Sequence, residues 1–151
     1  MRKAITLLSG VDTVLELRPQ FGRSIVTALA RIEGRPVGII ANDPGHLGGA
    51  IDSDSADKAS RFMQLCDAHG LPLISLCDTP GFMVGPEAEK TAQVRHFGRM
   101  FVTGASLAVP LVSVILRKAV GLGAMAMAGG SFHRNLLSVA WPTGELSGMG
   151  I

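Results

Sequence analysis

The sequence holds almost no net charge: 14 lysines and arginines against 12 aspartates and glutamates leave +2 over 151 residues. It has no basic run with interleaved aromatics, so the electrostatic footprint of a nucleic-acid binder is missing. Cysteine is scarce as well. Cys66 and Cys77 form no Cys-X-X-Cys pair and no Cys/His spacing that would hold a metal, and both are expected to be small buried hydrophobes in a reducing compartment. Long apolar runs are lacking. The longest, "GASLAVPLVSVIL", is interrupted by Pro110 and falls short of the roughly 18–20 residues a bilayer span needs. The N-terminal "MRKAITLLSGVD" starts basic, but its apolar run is too short for a signal peptide. These absences predict a soluble, cytoplasmic protein with no nucleic-acid or membrane partner.

The usual catalytic signatures are also missing. There is no GxxxxGK[ST] phosphate loop and no GxSxG elbow, and "GLGAMA" lacks the third glycine of a dinucleotide fingerprint. His46, His69, His96 and His133 show no ligand spacing. His69 reads as a surface residue at a helix end and His96 as part of a charged helix face. Cys77 beside Asp78 would suggest a nucleophile only with a paired histidine, and none is evident. Glu87, Glu89 and Lys90 read as charges of a first helical turn.

What the sequence does have is apolar bulk and glycine. Hydrophobic residues make up 47% and charged residues 17%, which suits one globular domain with a sizeable core. Nine of the 19 glycines cluster in "HLGGAID", "GLGAMAMAGG" and "GELSGMG", and there is no Gly-X-Y period, which excludes collagen. "GRSIVTALARI" and "PVGIIAN", joined by Glu33-Gly34-Arg35, predict a β-hairpin. "SDSADKASRFMQLCDAHG" predicts a helix capped by Ser53 or Asp54, with Asp57 in its first turn, an apolar stripe of Ala59, Phe62, Met63 and Cys66, and a stop at Gly70. A second helical stripe runs through Val94, Phe97, Phe101 and Ala105. Buried strands are expected near Leu73–Cys77, Leu111–Leu116 and Leu136–Ala140. Helices alternating with buried strands argue for an α/β fold with a mostly parallel sheet.

Three glycine loops, "DPGHLGGA", "DTPGFMVG" and "RKAVGLGAM", each leave the end of a predicted strand. In open α/β sheets ligand crevices form outside the carboxyl ends of strands, and unpaired N–H groups at helix starts bind negative charge. Spacing alone leaves two readings open: compact turns, or loops whose backbone faces a ligand. Without a side-chain apparatus, a catalytic role would rest on backbone N–H groups stabilising an oxyanion.

Four blocks then become familiar: "RIEGRPVGIIANDP", "GGAIDSDSADKASRFMQLCDAHGLPLISLCDTPGFMVG", "PLVSVILRKAVGLGAMAM" and "SVAWPTGE". In this order they resemble the carboxyltransferase component of biotin-dependent acyl-CoA carboxylases, from about Leu15 to Gly150. The resemblance implies a single α/β domain of crotonase-like (ClpP/crotonase) fold, a spiral of ββα units. Residues 1–14 stay unassigned, and 15–151 correspond to the C-terminal, biotin-side domain, ending short of the family's usual length.

The resemblance further implies two oxyanion holes, one in the N-terminal domain for the thioester oxygen and one in this domain for the ureido oxygen of biotin. By position in "RKAVGLGAM", the second would use the backbone N–H groups of Leu122 and Gly123. Many relatives carry glycine followed by alanine there; leucine departs from that pattern, but a backbone donor needs no particular side chain. Gly81, Phe82 and Gly121 would line the biotin pocket. Met125 would select acyl chain size or serve as a core methionine. The implied reaction moves a carboxyl group from carboxybiotin to the α carbon of a short acyl-CoA, acetyl or propionyl, with biotin as its own base and no metal. Implied partners are the N-terminal carboxyltransferase domain, a biotin carboxylase, a biotin carboxyl carrier domain and further copies in a homo-oligomer. Since the thioester hole belongs to another domain, this chain alone is expected to be inactive. The same motifs would serve a decarboxylase subunit of the superfamily, and a non-catalytic assembly module is the third alternative.

Overall fold

The computed structural model describes residues 1–149; Gly150 and Ile151, the end of the expected domain, lie outside the described residues. Strands β1 (Leu15–Leu17), β2 (Ile25–Ile32) and β3 (Arg35–Asn42) form an antiparallel meander. Its tight turn is Glu33-Gly34 alone, with φ of +49° and +79°, and Arg35 already pairs with Ile32. Two consecutive positive φ values match the twist of a two-residue hairpin, which is why glycine follows glutamate there.

The chain then crosses over through helix α2 (Ser53–Ala68) to β4 (Leu73–Thr79), parallel to β3. The cap of α2 is Asp52, whose carboxylate accepts from Ser55 N at 2.9 Å, rather than Ser53 or Asp54. Asp57 therefore lies beyond the first turn, and it pairs with His96 Nδ1 at 3.0 Å on a later helix. The predicted stop at Gly70 holds: φ is +64°, Leu71 N donates to Cys66 O and Gly70 N to Asp67 O, the paired bonds that close a helix end.

A short turn α3 (Pro86–Glu89) and helix α4 (Gln93–Ser106) lead to β5 (Leu111–Val120), which runs directly into α5 (Gly121–Met127). Of the predicted stripe, Phe97 and Phe101 pack on the core while Val94 and Ala105 are exposed; α4 also buries Gln93, Met100, Thr103 and Gly104. Strands β6 (Leu137–Ala140) and β7 (Glu145–Ser147) both pair with β5 in parallel. β6 is not the buried strand expected from "NLLSVAW": every residue of it is exposed, because it forms the sheet edge among the described residues.

Side-chain alternation divides the core. Ile40, Leu73, Cys77, Leu111 and Ile115 face α2, α4 and α5, while Ile39, Ala41 and Leu76 face the other side, where Ile5 of α1 (Arg2–Leu8) packs. The segment left unassigned by sequence, residues 1–14, thus contributes a helix to the same sheet. No helix among the described residues is long and apolar enough to cross a membrane.

Candidate active site at the carboxyl ends of three strands

β3, β4 and β5 run parallel, so their three glycine-bearing exits open at one end of the sheet. The first two exits are tied together by a short ladder. Ile51 N donates to Gly81 O at 3.0 Å, and Met83 N donates to Ile51 O at 2.8 Å. Gly81 has φ +122°, a conformation open to glycine, and the Thr79 hydroxyl fixes it by accepting from Gly81 N and donating to Gly81 O, both at 3.1 Å. The Phe82 ring stacks on Phe97 with centroids 3.7 Å apart, so its side chain serves the core between this loop and α4.

The third exit has no loop at all: β5 ends at Val120 and α5 begins at Gly121, with φ +59°. The first N–H groups of a helix have no intrahelical acceptor. Among the described residues, neither Leu122 N nor Gly123 N has a hydrogen-bond acceptor. Leu122 is 62% exposed. Gly121, Leu122 and Met125 line an apolar cleft of about 410 Å³ together with Phe132, His133 and Leu146. Sequence reasoning missed the last three, which arrive from a separate loop and from β7.

The predicted residues are thus brought together in two tiers. Gly121, Leu122 and Met125 line the cleft; Gly81 and Phe82 do not line it but support it from behind, since Gly123 is buried against Gly81.

Polar groups brace this end of the sheet. Asp78, 6% exposed, receives Lys118 N at 3.3 Å and the Arg117 guanidinium at 3.2 Å on each carboxylate oxygen, while its own N–H donates to Asn42 Oδ1 at 3.1 Å. Asn42 is fully buried and its Nδ2 has no acceptor among the described residues. Cys77 lies on the other face of β4; burial pushes its thiol up to about 12, and its Sγ points to Lys118 O at 3.7 Å. That is an inert thiol, which removes the nucleophile reading. No cluster of metal-ligating side chains occurs among the described residues.

Comparison with known proteins agrees with this geometry. Residues 1–150 match the family described as carboxyl transferase domain. An uncharacterized carboxylase, YngE, of Bacillus subtilis is 43% identical over 99% of this chain and 29% of its own length. A biotin-dependent long chain acyl-coenzyme A carboxylase beta4 subunit of Mycobacterium tuberculosis is 40% identical over 90% of this chain and 26% of its length. A solved single-chain, multi-domain long-chain acyl-CoA carboxylase superposes with a TM-score of 0.97 at 64% identity, covering 99% of this chain and 15% of that one. The chain therefore spans less than a third of the relatives it matches. On a match that covers nearly every residue, and on a sheet that superposes on solved carboxyltransferases, the chain belongs to the carboxyl transferase domain family and has its crotonase-like α/β fold.

Proposed function

We propose that the protein carrying this chain transfers a carboxyl group from carboxybiotin to the α carbon of an acyl-CoA, and that this chain supplies the biotin-side half of the site. The observation that carries the reading is the pair of acceptor-free N–H groups of Leu122 and Gly123 at the start of α5, beside an apolar cleft. The cleft suits an uncharged bicyclic ring, and two successive acceptor-free donors at the helix start suit its single polar oxygen. Bound carboxybiotin supplies the carboxyl group and the base. The chain's part is to hold negative charge at that oxygen through Leu122 N and Gly123 N, with no proton taken up by a side chain. Gly121 keeps the turn narrow, and Met125 and Phe132 exclude water from the ring's apolar side. Met125, a residue of the cleft lining, is also assigned the selection of acyl chain length. Long-chain carboxylases occur among the similar proteins, which supports including acyl chains longer than the acetyl and propionyl groups expected from sequence.

The reading extends to partners and place: biotin on a separate carrier domain, a biotin carboxylase, an N-terminal carboxyltransferase domain holding the thioester, a homo-oligomer that brings the two halves together, and a cytoplasmic location. The test is a transfer assay on the full-length protein with biotin carboxylase, carrier, ATP and labelled bicarbonate, over acyl-CoAs from acetyl to long-chain. Label appearing in one or more acyl-CoAs is the expected result; no label in any of them would refute the function.

A further inference from the structure

β4 and β5 fall out of step at one place. Cys77 pairs with Ile115, and the next pair is Thr79 with Ala119. Over that interval β4 spends one residue, Asp78, while β5 spends three, Leu116, Arg117 and Lys118. A bulge of this kind bends the strand and re-aims the chain beyond it. In β5 that chain is Val120 and then the Gly121–Gly123 turn.

Asp78 faces the bulge alone and holds it. Its Oδ1 accepts the bulged Lys118 N–H at 3.3 Å and Arg117 Nε at 3.2 Å, and its Oδ2 takes Arg117 Nη2 at 3.2 Å. From the other side, Asn42 Oδ1 accepts Asp78 N–H, and Lys118 Nζ donates to Gly48 O at 3.3 Å in the first glycine loop. Asp78 is also three residues before Gly81, as Lys118 is three residues before Gly121. The same carboxylate thus sits at the root of both loops that meet at Gly81 and Gly123.

We propose that Asp78 is the positioning residue of the site: its carboxylate locks the β5 bulge and so fixes the direction of the Leu122 and Gly123 N–H groups. Asp78 lies outside the cleft lining and touches no reacting atom; it acts through the backbone of β5. The catalytic part of the inference rests on the proposed function, whereas the structural part does not.

The experiment compares wild type, Asp78→Asn and Asp78→Ala in the full-length protein by hydrogen exchange and by carboxyl-transfer kinetics. Asparagine keeps one oxygen acceptor but loses the charge held by Arg117, and alanine loses both. Exchange is expected to speed up in peptides covering 114–124, more in the alanine variant, with the α1 and α2 peptides unchanged. Misplacing oriented donors by about 1 Å costs on the order of 10²-fold in rate. A fall of kcat of that order in Asp78→Ala, a smaller fall in Asp78→Asn, and a KM for acyl-CoA within about twofold of wild type are the expected kinetics. Unchanged exchange over 114–124, or exchange raised across the whole chain, would overturn the proposal. So would wild-type kcat in Asp78→Ala. If Asp78→Ala does not fold, Arg117→Gln, altered at a half-exposed side chain, is read by the same exchange criterion. If wild type itself transfers no carboxyl group, the proposed function fails while the exchange result still decides the role of Asp78 in the bulge.

Discussion

Gly123 lies directly against Gly81: a methyl group at position 123 would come within 2.7 Å of both the Cα and the carbonyl carbon of Gly81, and 3.0 Å of Phe82 N. These are backbone atoms with nowhere to rotate. Relatives with alanine at this position carry glycine before it; in this chain, with Leu122 before it, Gly123→Ala is expected to push the β4 and β5 exits apart, at a cost of about 1–3 kcal/mol in stability. A fall in the unfolding midpoint, with a loss of transfer rate larger than that fall explains, is expected. Chemical denaturation and initial rates check it; an unchanged midpoint would mean the two loops separate freely.

Gly49 makes the matching contact on the first loop. It has φ +87°, and a Cβ there would approach Asp78 O to 2.3 Å. Strain and overlap add, so Gly49→Ala is expected to destabilise by more than the roughly 0.4–1 kcal/mol typical of compatible glycine-to-alanine gains, and in the opposite direction. Thermal unfolding of the variant gives the sign.

Lys58 predicts a pH dependence. Its side chain is 2% exposed, its Nζ donates to Ile25 O at 2.7 Å, and burial lowers its ammonium from 10.5 to about 8. Between those values the unfolded chain binds the proton and the folded chain does not, so this group makes stability rise with pH over that window. Below about 8 both states are charged and its cost to folding is full and constant. The slope is at most about 1.4 kcal/mol per pH unit. Stability measured across the window should rise more steeply for wild type than for Lys58→Met; parallel curves would show that Lys58 does not titrate there.

Cys66 and Cys77 are buried, and burial pushes both thiols up to about 12. Native protein at about pH 8 should resist alkylation for hours and label at both sites once unfolded in denaturant. Rapid labelling of native Cys77 would contradict its placement on the core side of β4.

Much of this site is legible in the sequence because its signals are local. Alternating apolar residues mark β2 and β3, the continuous run at Leu73–Cys77 marks a strand covered on both faces, and glycines punctuate all three exits. The adjacency of Gly81 and Gly123 follows from parallel strands sharing one end. What stays hidden depends on neighbours in space. Asp52 competes with Ser53 and Asp54 as a cap, and only the crossover geometry chooses. The run at Leu136–Ala140 has the composition of a buried strand yet lies at an edge. The bulge opposite Asp78 is a cross-strand register shift, and no single strand's pattern encodes it. Phe132, His133 and Leu146 reach the cleft from segments whose own sequence points to no ligand.

The most direct test of the oxyanion assignment replaces one N–H. Incorporating the α-hydroxy analogue of leucine at position 122 of the full-length protein turns that amide into an ester and removes the donor while keeping the side chain. Loss of a single oxyanion donor typically lowers rate by about 10²–10³-fold. The expected result is a fall in kcat of that order for carboxyl transfer from carboxybiotin, with unfolding behaviour close to wild type. Wild-type kcat in the ester variant would show that Leu122 N–H holds no charge in the reaction and that the oxyanion site lies elsewhere.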